Sequence, residues 1–198
     1  MKSNVCKIEK GNKDLEAIFN ECERVALYNE LEHKQALQLR LLCEELDGML
    51  PEIVGDFDGI LWFEFDGKQC LIKTSIDIAE ISQQSKEELI SVAKNNKNAS
   101  AKGIVGKIRS AIENFFLDED FCDAVVMSSS DLHMANGYCN IIDYSYYWSL
   151  DQYRSNTKKE EKSEEWDELE KSITARLADE IKIFIRGNTV EMVIEKTF

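Results

Sequence analysis

The spacing of apolar side chains divides the chain into helical and extended segments. After Asn12, a residue suited to capping a helix, Leu15, Ile18, Phe19, Cys22, Val25 and Ala26 recur at intervals of three and four. That spacing is the mark of one buried helical face. Leu39, Leu42, Cys43, Leu46, Met49 and Leu50 repeat it in a second helix, which Pro51 and Gly55 are expected to end. Two alternating stretches follow and meet at Asp66-Gly67, a pair that favours a two-residue hairpin. With that turn Phe63 faces Cys70 and Leu61 faces Ile72. Ser85 and Glu88 form a capping-box pattern ahead of Leu89, Ile90 and Val92. Ile104, Val105, Ile108, Ala111, Ile112, Phe115 and Phe116 predict a further amphipathic helix, and Trp166, Leu169, Ile173 and Leu177 a narrower one. At the end Ile181, Ile183 and Ile185 alternate, Gly187-Asn188 turns the chain, and Val190, Met192 and Ile194 alternate back. Ile185 then meets Val190, Ile183 meets Met192, and all six share a face.

With a short strand over Val5 to Glu9, the order is β-α-α-β-β-α-α, an insertion at 118–162, then α-β-β. Hairpins separated by helices predict an α/β (α+β) two-layer sandwich: a mixed, mainly antiparallel sheet covered by helices on one face. The 198 residues fit a single domain over 1–198 with that insertion.

Charge narrows the partners. Acidic side chains number 38 and basic ones 24, for a formal net charge of −14. Such a field repels phosphate backbones and anionic lipid, so nucleic acid and membrane are not expected as partners, whereas a basic protein is. The composition leaves a homodimer open. No apolar run approaches the roughly 20 residues of a spanning helix, and the start has no signal-peptide core. The six cysteines lack CxxC spacing, and several fall at core positions, which points to a reduced, cytoplasmic protein.

The element order, together with Leu39-Arg-Leu-Leu-Cys-Glu44-Glu-Leu-Asp-Gly48-Met and the closing hairpin from Ile181, resembles the histidine-kinase-like ATPase (GHKL) superfamily. Within it the chain is most similar to the anti-sigma-factor serine kinase branch, over about residues 4 to 117 and 179 to 197. The segments Asn98-Ala-Ser-Ala-Lys-Gly-Ile-Val-Gly-Lys-Ile-Arg and Trp166-Asp-Glu-Leu-Glu-Lys-Ser-Ile also resemble an uncharacterised Firmicutes-type group of this fold.

The resemblance implies a helix carrying Glu-x-x-x-Asn, with the glutamate as base and the asparagine on Mg²⁺. Glu44 matches the glutamate; Gly48 stands at the asparagine position with no side chain to reach a cation. Asp47 is the nearest substitute, about 100° around the helix. The family's Asp-x-Gly-x-Gly, whose aspartate reads the adenine amino group, corresponds to Lys73-Thr74-Ser75-Ile76-Asp77-Ile78, which contains no glycine. Thr74 falls near the aspartate position and Asp77 is the closest acid. The glycine-containing phosphate lid corresponds to Lys102-Gly103-Ile104-Val105-Gly106-Lys107, with Lys97 nearby. Amide groups at a helix start can bind an anion, although two glycines at this spacing equally suit helix packing.

Other constellations are weaker. Asp131, His133 and Cys139 lack zinc spacing, and Ser128-Ser129-Ser130 lacks a nucleophile elbow. The run Tyr144, Tyr146, Tyr147 and Trp148 is either a strand packing its aromatics onto the domain or a partner surface. The expectation is therefore a regulatory protein-interaction module with a degenerate nucleotide cleft. The alternative is an ATP-binding, anti-sigma-factor-like serine kinase or ATPase that uses ATP with Mg²⁺.

Overall fold

The computed structural model describes residues 1–9, 15–55, 57–77, 103–117, 146–157, 172–186 and 189–198. Along the chain lie β1 (Cys6–Glu9), α1 (Leu15–Tyr28), α2 (His33–Val54), β2 (Asp58–Asp66), β3 (Gln69–Asp77) and α3 (Gly103–Leu117). These are followed by β4 (Tyr146–Ser149), α4 (Leu150–Thr157), α5 (Ile173–Leu177), β5 (Glu180–Arg186) and β6 (Thr189–Thr197). The strands form one open sheet in the order β1-β2-β3-β6-β5-β4. The architecture is an α+β sandwich, and every described strand pair is antiparallel, so the mixed sheet expected from sequence is not observed.

Alternation does the sorting. Leu61, Phe63, Ile72, Ile76, Ile181, Ile183, Ile185 and Ile194 are almost completely buried, as are Ile18, Val25, Leu39, Leu42, Leu46 and Leu50 of the two long helices. Each such side chain removed from water contributes on the order of 1.5–3 kcal/mol. The intervening strand residues, such as Trp62, Lys73 and Val193, are half-buried on the opposite face. There Glu64 accepts from Trp62 Nε1 (2.9 Å) and from Lys73 Nζ (2.7 Å).

Three sequence expectations need correction. The first hairpin turns at Gly67-Lys68, because Asp66 pairs with Gln69, so Phe63 faces Ile72 and Leu61 faces Thr74. Gly67 has φ +57° while Lys68 keeps a negative φ, which suits a turn needing a left-handed residue only at its first central position. The displacement is two residues in register, an even step, so the same side chains stay inside. Pro51 does not end α2; it lies in the last turns, and Gly55 with φ +76° closes the helix through its N–H to the Pro51 carbonyl. Ile173 and Leu177 belong to a helix of five residues, α5, which starts after Ser172, whose extended backbone and side chain cap it by accepting from the Ala175 N–H; Trp166 and Leu169 lie outside the described residues. The helix expected after Ser85 lies outside the described residues.

Part of the segment read as an insertion belongs to the sheet. β4 pairs with β5, and α4 beyond it buries Leu150 and Tyr153. At the other edge, residues 1–3 and β1 both run along β2. Lys2 bridges Glu64 while Cys6 pairs with Leu61, so three residues oppose two and the edge is bulged. The Asn4 N–H freed there donates to the buried Glu21 carboxylate (2.8 Å), which also accepts from Arg24 (2.5 Å).

Candidate functional site

α2 buries Leu39, Leu42, Leu46 and Leu50, which puts Glu44 and Gly48 on the exposed side of the same helix. Glu44 is not poised toward an empty cleft. Its carboxylate accepts from Arg40 Nε at 3.1 Å, one turn back, and Arg40 also reaches Glu23 of α1 at 3.2 Å and lies over the Phe19 ring. The pairing holds the carboxylate in a surface ion network linking two helices, a modest contribution at this exposure. A Cβ built at Gly48 meets nothing within 4 Å, so the glycine does not mark a close packing of another backbone. Asp47 is half-buried, and burial raises its carboxyl from its ordinary value. Glu44 committed to Arg40, no donor at 48 and a partly desolvated Asp47 make a donor set that does not fit Mg²⁺. Among the described residues no group of three or more His, Cys, Asp or Glu is arranged to hold a metal ion.

The two residues at the adenine-reading position are separated by the sheet itself. Thr74 is 1% exposed on the face under the helices, opposite Leu61 and Met192, and its hydroxyl has no hydrogen-bond partner in the structure. Asp77, an odd number of residues on, points to the other face. It pairs in register with Asp58 and Thr189 at the strand ends and lines an open groove of ≈ 590 Å³ with Lys7, Asp58 and Ser75. One ligand cannot be read by both.

In the phosphate-lid segment, Gly103 is the first residue of α3, and Gly106 is buried one half-turn around the helix from Ile104 and Ile108. Lys107 is half-exposed, and Lys97 and Lys102 lie outside the described residues. Of the aromatic run, Tyr144 lies outside them. Tyr146 and Tyr147 belong to β4, and Trp148 is half-buried with its ring 6.1 Å from that of Tyr153. For Trp148 this favours packing onto the domain over open display.

Two features escaped sequence reading. Arg154 of α4 donates to the carbonyls of Ala175 and Asp179, tying α4 to the end of α5. Asp179 binds the Thr197 N–H at 2.7 Å and Lys196 at 3.0 Å. Neither carries a periodicity signal, because each acts across the fold on groups distant in sequence. No described helix is long and apolar enough to cross a membrane. Comparison with protein-family models, with curated proteins and with solved structures finds no match for this chain.

Proposed function

We propose that the chain is a regulatory protein-interaction module that keeps the architecture of the histidine-kinase-like ATPases and has a degenerate nucleotide cleft. The observation that carries this reading is the state of the α2 edge. Residue 48 offers bare backbone where that superfamily holds its cation, and Glu44, the expected base, is occupied by Arg40. Thr74, sealed under the helices, has a hydroxyl where the superfamily has a carboxylate to accept from adenine. The partner is expected to be a protein, and basic, given the net charge of −14.

The test is a thermal-shift titration with Mg-ATP, and with ATP plus chelator, on the full chain. A ligand at 100 times its Kd adds about 2.7 kcal/mol of stability, so the expected result is an unchanged midpoint at millimolar nucleotide. Gly48→Asn, which the open space at that position accommodates, tests whether the metal ligand alone was lost. Because Thr74 remains, we expect no gain of Mg-ATP binding. A magnesium-dependent rise in the midpoint of the unaltered chain would replace this reading with the ATP-binding kinase or ATPase.

A further inference from the structure

α1 and α2 form an antiparallel pair, and the Glu23–Arg40 ion pair marks the side on which the two helices meet at the surface. Leu27 lies one turn beyond Glu23, and Leu37 one turn before Arg40. Both spacings stay on that same side and lead toward the tip of the pair. There Leu27 is 82% exposed, Tyr28 72% and Leu37 53%. These are among the most exposed large apolar side chains of the described residues, and all three lie at one end of one helical pair, Leu27 and Leu37 on the side of the ion pair and Tyr28 about 100° around α1 from Leu27. Scattered surface leucines need no explanation; a grouped set does.

The surroundings are acidic. Residues 15–55 hold nine carboxylates against three Lys and Arg side chains, and Glu23, Glu30 and Glu32 border the tip, with Lys34 in the first turn of α2 as a cation beside Leu37. Glu30 has φ +52°, in the left-handed position after α1, while Leu31 N–H reaches back to the Ala26 carbonyl. Glycine takes this position without strain, and a side chain there costs about 1 kcal/mol. A carboxylate beyond a helix C-terminus is also opposed by the helix dipole. The start of α2 two residues on favours the same charge, and the glutamate keeps it beside the exposed leucines.

We infer that the α1–α2 tip is a docking surface for a basic amphipathic helix of a partner protein, with apolar side chains on Leu27, Tyr28 and Leu37 and Lys or Arg against the flanking glutamates. Apolar contact supplies affinity, and the charges supply orientation and rate. The reason for a partner rests on the interaction-module reading. The surface does not, so the nucleotide titration bears on that reading alone.

The probe is a labelled synthetic peptide with leucines on one helical face and lysines on the other, titrated with the full chain by fluorescence anisotropy. Leu27→Ser/Leu37→Ser keeps every carboxylate, and removing two exposed leucines leaves the melting midpoint near that of the unaltered chain. We expect the double variant to bind the peptide about tenfold more weakly, consistent with the loss of one well-packed leucine contact. Leu37→Ser alone should give an intermediate loss and stands in if the double variant folds poorly. Added salt should weaken binding to the unaltered chain. Equal affinity for the unaltered and serine chains, or equal binding of a glutamate-faced peptide, overturns the inference. So does self-association of the chain that the serine variants relieve in the absence of peptide binding, because a second copy would then be the occupant.

Discussion

Asp179 sits where α5 hands the chain to β5, and its carboxylate holds the far end of β6 through the Thr197 N–H and the Lys196 ammonium. Burial pushes its carboxyl up, but the Thr197 amide and the Lys196 charge more than reverse this, so the net shift is downward. A lowered native value means the stabilisation is present above the unfolded value of about 3.9 and is lost as pH falls through the native one. Asp179→Asn should therefore be less stable than the unaltered chain at neutral pH, with the gap closing in acid. Denaturant midpoints at both pH values check this, and a gap of constant size would sink it. Other residues show how far single positions can be read from the chain. That Gly48 offers no metal ligand needed no coordinates. That Thr74 and Asp77 lie on opposite faces followed from their odd separation once both were on one strand. That Arg40 joins Glu44 to Glu23 could not be read, because the Glu23 contact joins residues 17 apart on two helices.

Among the elements, β4 and α4 changed the picture most. Their residues read as an insertion, since a run of tyrosines followed by polar helix-formers carries no buried stripe of its own. The structure closes the β5 edge with Tyr146–Ser149 and seats Leu150, fully buried, against the core. Leu150→Ala should accordingly cost about 2–5 kcal/mol, the range for truncating a core leucine. Denaturant unfolding would measure it, and a loss under about 1 kcal/mol, the level of a surface change, would show the segment to be peripheral. Long periodic elements were legible: α1, α2 and the last hairpin stand where their apolar spacing put them, and the last hairpin keeps its expected register. Turn chemistry was the weaker guide. At residues 66–68 two candidate pairs share Gly67, and choosing between them depends on which one must take the positive φ.

For the whole molecule, the distribution of thiols summarises how the layers close. Cys22 of α1, Cys43 of α2 and Cys70 of β3 are all buried, and Cys6 of β1 is half-buried. Contact with the Cys22 thiol, together with burial, pushes the Cys43 thiol well above its ordinary range, and burial raises Cys70. Burial raises the Cys6 thiol too, so access decides the order: mass-spectrometric mapping after brief alkylation of the native chain should find half-buried Cys6 modified before the three buried thiols. Cys22, Cys43 and Cys70 should become reactive on denaturation. Labelling of native Cys43 at the unfolded rate would refute this packing. The sandwich was legible because its layers are written as two periods, 3.6 and 2. The all-antiparallel pairing was not, since strand direction across 78–102 and 118–145 leaves no trace in either period. The bulged margin at Asn4 has a consequence for how these molecules meet one another in a crowded solution. An incoming extended segment seeking a straight row of free amides finds a kinked rail with one rung already clamped by Glu21 and Lys7 standing beside it. Lateral stacking into filaments has no level track from which to grow on that side.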